Sequence, residues 1–310
     1  MIAQPRTLRF SWRRTDSVTA DLLLFGTVLL WSFNFAAIKY AVSNGISPLT
    51  YAPVRWVLAG TALATFTYKL EGSVRVKRRD VLAVVALAAV GLWLNQTALT
   101  YASKMTTAAT VALLFGTLPV FVALFSRAAG VERATRRQSL AVLVSFAGVA
   151  LIAGGAGGPV STHVWGILLG LTTAASFAAY SVAMVPMMRR YSPGRLQALT
   201  ALIGAVLLAA TGAWQLAHQN WHVGALAWAA VAYGALASAG LGNLLWFKAI
   251  RHVGPGRAAL YVNLQPFLGA VFAVAVLSET LHPLQIGGAV VVGAAILLVR
   301  MRPNPAPPSE

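Results

Sequence analysis

Long apolar runs parted by short segments rich in arginine and lysine set the pattern of this chain from about residue 21 to residue 301. The runs do not alternate with period two, so they predict helices rather than strands. Ten are predicted, near 21–43, 47–69, 80–102, 105–127, 137–154, 164–187, 196–216, 224–250, 256–277 and 284–301. A helix rising ~1.5 Å per residue needs roughly 20 residues to cross a ~30 Å hydrocarbon layer. Most of the runs suffice. The fifth and tenth are short and are expected to stand nearly upright.

Composition agrees with membrane spans. Hydrophobic residues make up 58%, charged residues 10%, and the mean hydropathy is +0.72, where a soluble protein carries about 25% charge. So few charges cannot cover a water-soluble surface. The net charge of +17 would suggest nucleic acid in a soluble protein. Here the basic residues sit between apolar runs and read as topology signals, so no nucleic-acid partner is expected and the lipid bilayer is. There are no cysteines, which excludes thiol chemistry. The basic start (Arg6, Arg9, Arg13, Arg14) precedes a run longer than a signal-peptide core of about 7–15 residues, and is expected to lead an uncleaved first span.

Lysine and arginine assign the sides. Twenty lie in the N-tail, the C-tail and the loops after runs two, four, six and eight, while the opposite side holds Lys104 alone. By the positive-inside rule both termini are cytoplasmic, and an inner-membrane location is expected.

The chain also repeats. A shift of 147 places Pro266 on Pro119, Glu279 on Glu132, Ala249 on Ala102 and Gln285 on Gln138, with 13 identities in the 62 positions from 91 to 152. Ser32-Phe33 matches Ser176-Phe177 at 144, and Pro48 matches Pro193 at 145. Each half then holds five spans. Five is odd, so the halves enter the membrane from opposite sides, as inverted repeats. The expected fold is all-α integral membrane with ten transmembrane helices. Its divisions are a basic tail 1–20, a first repeat 21–155, a linker 156–163 around the glycine-rich GGAGGP run, a second repeat 164–301 and a tail 302–310.

Three groups of residues carry a likeness. They are Trp31-Ser32-Phe33-Asn34-Phe35 with Lys39; Arg55-Trp56-Val57-Leu58-Ala59-Gly60; and Ala249, Asn263-Leu264-Gln265-Pro266 and Ser278-Glu279-Thr280-Leu281, with Pro119 and Glu132 as a weaker first copy. Together with the span count they resemble the EamA-like branch of the drug/metabolite transporter superfamily over roughly residues 20–300. The resemblance implies export or import of amino acids, related metabolites or drugs. One departure is that the glycine often preceding the family's glutamate is Val131 in the first copy and Ser278 in the second.

Seven acids are present, and none falls near the middle of a predicted span. Proton-driven pumps usually carry an intramembrane carboxylate, so a facilitator is expected, or proton coupling without a central carboxylate. Three cations do fall within spans. Lys248 lies three residues from Arg251 and snorkels. Lys39, about four residues from the outer end, suits either a snorkelled or a cavity position. Arg55 lies about eight residues, or ~12 Å of helix, from the outer end, too deep to snorkel, and calls for a cavity or a structural partner. A positive cavity without carboxylates suits a substrate bearing an anionic group.

Polar and aromatic residues share helical faces. Trp31 with Asn34, Trp93 with Gln96, Tyr180 with Thr173 and Ser176, Asn243 with Trp246, and Tyr261 with Gln265 are candidates for a central substrate pocket. Interhelical hydrogen bonding is the competing reading for each of them singly. Pro119 and Pro266 are candidate helix breaks. His218 and His222 are four apart without a third ligand and are expected in an outer loop, so no metal is implied, and no nucleotide or other cofactor. The expectation is a transporter of a small amino acid-like or related metabolite working by alternating access. The alternatives are a transporter of hydrophobic drugs or lipid-like molecules, and a lipid-modifying membrane enzyme, for which the sequence offers no convincing catalytic set.

Overall fold

The computed structural model describes residues 14–128, 136–155, 160–262 and 264–300. Among them regular structure is helical and no strand occurs. The first half contains α1 (Arg14–Ser43), α2 (Pro48–Glu71), α3 (Val81–Ala88), α4 (Asn95–Met105), α5 (Ala108–Phe115), α6 (Leu118–Ala128) and α7 (Arg136–Gly154). The second contains α8 (Val160–Met188), α9 (Pro193–Thr211), α10 (Ala213–Ala217), α11 (Ala225–Ala232), α12 (Asn243–Val262), α13 (Gln265–Leu277) and α14 (Pro283–Arg300). Among the described residues, six helical stretches are long and apolar enough to cross a membrane: Thr19–Ser43, Arg78–Met105, Ala108–Phe125, Val164–Met188, Pro193–Thr211 and Ala225–Ile250. Gln265–Leu277 and Pro283–Ala295 are shorter apolar helices. Leu82 is 79% exposed, and Val206, Leu143 and Val290 are similarly bare. Apolar side chains stand outward here because the surrounding solvent is hydrocarbon.

Local chemistry explains the helix ends. α2 and α9 both begin with Ser-Pro, and the proline at the first helical turn costs nothing because its missing N–H would have no partner there. At α9 the Ser192 hydroxyl also accepts from Arg195 N at 3.1 Å. α2 ends at Gly72, whose φ of 68° is left-handed and whose N–H reaches Tyr68 O at 2.8 Å. Only glycine adopts that conformation without strain.

The pairing of helices is the fold's main rule. α2 lies on α9, α5 on α13 and α7 on α14. α4 packs on α8 as α12 packs on α1, and α13 packs on α1 as α6 packs on α8. Exchanging the halves carries the α4–α8 and α6–α8 pairs onto α12–α1 and α13–α1 and keeps α2–α9 and α7–α14. The two halves therefore interleave rather than sit side by side.

Three features differ from a plain reading of ten rods. First, Ala89–Leu94 and Tyr233–Gly242 are π-helical, joining α3 to α4 and α11 to α12. They fall on each other under the 147-residue shift. π segments are rare and concentrate at functional sites. Second, the fourth run breaks between α5 and α6, where Gly116 N and Thr117 N bond back to Leu113 O and Leu114 O. Pro119 follows as the second residue of α6, and Pro266 is likewise the second residue of α13. Third, the basic run Arg251–Arg257 has helical backbone within α12 rather than an open turn. The basic tail through residue 13, Glu132, linker residues 156–159, Asn263 and the tail from 301 lie outside the described residues, as does the side chain of Pro119.

Candidate functional site

Arg55 organises the interior. It sits on α2, two turns in from the Ser-Pro start, and is 3% exposed. Its Nε donates to Gly234 O at 2.8 Å, Nη1 to Gln96 Oε1 at 2.9 Å and Nη2 to Ser238 Oγ at 3.4 Å. Both π segments are involved. Gly234 and Ser238 belong to one, and Gln96 lies two residues past the end of the other. Gly234 is small for a reason: a Cβ there would run into Tyr51 Oη and crowd the Arg55 side chain. The guanidinium carbon also lies 5.4 Å from the Trp56 ring centroid and 5.9 Å from that of Tyr51, within cation–π range. Among the described residues no carboxylate pairs with it. Asp80 bonds Arg190 and Tyr191, Glu71 bonds Arg195, and Glu279 caps α5 through Ala108 N and Ala109 N.

The polar network continues inward. Gln96 Nε2 donates to Asn95 Oδ1 at 2.6 Å, and Asn95 Nδ2 donates to Thr173 O at 2.8 Å and Ser176 Oγ at 3.1 Å on α8. A buried ion is costly unless its partners are fixed. This chain from α2 through α4 to α8 fixes them across both halves.

Around the network lies a small cavity of about 60 Å³, tighter than the roughly 300–1,000 Å³ of an open small-molecule site. Seven of the eleven candidate pocket residues line it: Trp31, Asn34, Arg55, Gln96, Tyr180, Asn243 and Gln265. Four do not. Trp246 packs behind Trp31, ring centroids 5.2 Å apart. Trp93 turns to α9, its Nε1 donating to Thr211 Oγ1 at 3.1 Å. Lys39 donates from Nζ to Thr106 O at 2.8 Å, outside the lining. Tyr261 is half-buried against the core, also outside it. Lys248 is exposed.

The structure adds lining residues that helical faces did not single out: Phe35, Trp56, Asn95, Phe115, Phe177, Gln197 and Ser238. Trp56 and Asn95 were within reach as neighbours of Arg55 and Gln96. Ser238 and Asn243 correspond to Gly91 and Gln96 at the 147-residue shift, so the repeat itself was a signal. Gln197 had none beyond being polar within an apolar run.

One wall is aromatic. Trp31 meets Phe177 edge-on at 5.3 Å, and Phe177 lies 5.8 Å from Phe115. The Trp31 indole is held by donation to Ser238 O at 3.2 Å. Gly242 leaves room for it, since a Cβ there would come within 2.7 Å of Nε1. Other lining side chains carry buried polar atoms with no hydrogen-bond partner among the described residues: Asn34 Oδ1, Gln265 Oε1, Gln197 Oε1 and Trp56 Nε1. Unpaired polar groups in a dry interior are destabilising, and in a cavity they are groups that a ligand can satisfy. The site thus offers a guanidinium, free amide acceptors and an aromatic face. It holds no nucleophile–base pair.

Comparison with other proteins fits this arrangement. A sequence profile of the EamA-like transporter family matches residues 18–154 and again residues 164–301. An uncharacterized transporter of Archaeoglobus fulgidus is 28% identical over 262 residues, 83% of this chain and 89% of that protein. Two from Bacillus subtilis, the uncharacterized transporters YyaM and YvbV, are 25% and 28% identical, with 89% and 92% of this chain covered and 92% of each relative. A crystal structure covering 90% of this chain and 95% of its own superposes with a TM-score of 0.65 at 21% identity, a likeness of fold.

Proposed function

Because the chain belongs to the EamA-like transporter family and is a multi-pass membrane transporter, we propose that its cavity carries a small amino acid-like metabolite across the membrane. The observation behind this is Arg55, a buried cation lining the cavity without a carboxylate partner among the described residues. A substrate carboxylate supplies the missing anion. The free amide oxygens of Asn34 and Gln265 accept from its ammonium group. Trp31, Phe115 and Phe177 take up its apolar part. Nothing in this requires a cofactor.

The chain crosses ten times as two inverted repeats, with both termini in the cytoplasm and the whole in an inner membrane. The interleaved pairing supports alternating access, with the halves rocking about the cavity. Transport is export or facilitated flow. The cavity lining has no carboxylate, so a titrating acid at its centre does not drive it. Uptake and counterflow in proteoliposomes against an amino acid and metabolite panel, with and without a pH gradient, test the reading. Saturable flux of zwitterions is the expected result. Absence of any flux, with no panel member raising thermal stability, refutes it.

A second reading has its own support. All three guanidinium nitrogens of Arg55 already meet a protein acceptor, as a structural cation would. The aromatic wall then dominates, and hydrophobic drugs or lipid-like molecules become the substrates. Unchanged flux after Arg55→Met favours that reading.

A further inference from the structure

Tyr180, Gln197 and Thr200 form a second buried polar cluster, and two of them line the cavity. Its hydrogen bonds can be followed atom by atom. Thr200 Oγ1 donates to Leu196 O at 2.8 Å. It therefore accepts from Tyr180 Oη, 3.0 Å away. Tyr180 Oη in turn accepts from Gln197 Nε2 at 3.2 Å. The tyrosine orients the amide and leaves Gln197 Oε1 without a partner among the described residues, on a side chain 1% exposed. The cluster thus carries an unpartnered acceptor on a cavity-lining residue and no charge.

Its position complements Arg55. The Arg55 network reaches α8 at Thr173 and Ser176, through Asn95. Tyr180 lies seven and four residues further along that helix, or about 10 Å and 6 Å at ~1.5 Å per residue. The two poles also occupy related places in the repeat. At the 145-residue shift that aligns Pro48 with Pro193, Arg55 aligns with Thr200. The first half puts a guanidinium at this place and the second a hydroxyl that anchors Tyr180. The cavity therefore has one cationic end and one neutral, acceptor-bearing end, with Phe177 between them on α8.

Building on the proposed zwitterion pocket, we infer that Gln197, oriented by Tyr180 and Thr200, is a specificity-determining residue that binds a hydrogen-bond donor at the substrate's far end. The class it selects is amino acids whose side chain ends in a carboxamide, hydroxyl or amine, with the tip several ångströms from the carboxylate. A site built to hydrogen-bond a substrate group discriminates against an analogue lacking it more strongly than an apolar pocket does, because its own polar atom is left unpaired.

The test is competition counterflow with glutamine and methionine, which are similar in length and differ in the donor tip. The wild-type protein is expected to prefer glutamine by roughly tenfold or more. Gln197→Met keeps length and removes the acceptor, so it should bring the two within about threefold by weakening glutamine alone. Gln197→Glu should shift preference toward lysine over glutamine, and provides a gain of function should the first variant fail to fold. A wild-type preference that neither variant moves, or no wild-type preference at all, overturns this inference and leaves the zwitterion reading standing. Transport of neither amino acid by wild type, with no other zwitterion moving, refutes the zwitterion reading itself and this inference with it.

Discussion

Arg55→Met makes the sharpest prediction. The substitution removes the charge and the three donating nitrogens and leaves an unbranched apolar side chain two atoms shorter. Gln96 Oε1, Gly234 O and Ser238 Oγ lose their donor, each a cost of roughly 1–3 kcal/mol if left unsatisfied. Against this, an ion 3% exposed no longer has to be desolvated, which returns several kcal/mol. Stability is therefore expected to change by no more than about 2 kcal/mol. Binding should change far more. Removing one member of a buried charge pair costs about 2–5 kcal/mol, or roughly 30-fold to several thousand-fold in Kd at 1.4 kcal/mol per decade. The assay is thermal stabilisation and counterflow with an amino acid and with the amine lacking its carboxylate. Wild type should favour the amino acid, and the variant should bind both equally weakly. Arg55→Lys, which keeps the charge but not the fork, should fall between. A folded Arg55→Met protein whose Kd for the zwitterion stays within threefold of wild type would falsify the carboxylate assignment.

Other perturbations follow from the same geometry. Gly91→Ala places a Cβ into the Tyr180 ring, within 2.8 Å of Cε2 and nearer still to the neighbouring ring carbons. Overpacking of about 1–3 kcal/mol and reduced transport are expected, and an equally stable, fully active variant contradicts the close packing. Glu279→Ala removes a cap whose oxygens accept from Ala108 N at 2.9 Å and Ala109 N at 3.0 Å. It should cost about 1–2 kcal/mol in thermal unfolding, with Glu279→Gln losing less. Asp80→Ala breaks the pair with Arg190 at 2.7 Å and the bond from Tyr191 at 2.7 Å. The arginine side chain is 56% exposed, so only a small fall in thermal stability is expected, shrinking at high salt.

Much of this was legible in the sequence, for identifiable reasons. Apolar runs of bilayer length leave a helix little alternative in lipid, because each backbone group must be satisfied within its own segment. The repeat was visible because Pro119 and Pro266, and the paired Ser-Pro starts at Ser47 and Ser192, occupy positions that backbone geometry restricts. Arg55 declared itself by depth, since an ion that far into a span needs a partner. The direction in which a residue on a correct face points was not legible. Trp93 and Gln96 are three apart on one stripe, yet the tryptophan turns to Thr211 and the glutamine to Arg55. Trp93 lies inside the π segment that ends at Leu94 and Gln96 beyond it, which changes their relative rotation, and no residue type marks the segment. Trp246 shares a face with Asn243 but stands behind Trp31, because which aromatic reaches the cavity first depends on the neighbouring helix. Chain chemistry by itself determined the apolar helical character, the twofold repeat and the deep cation Arg55. Tertiary structure decided which side chains meet, since contacts between residues such as Arg55 and Ser238, 183 positions apart, exist only once the halves interleave.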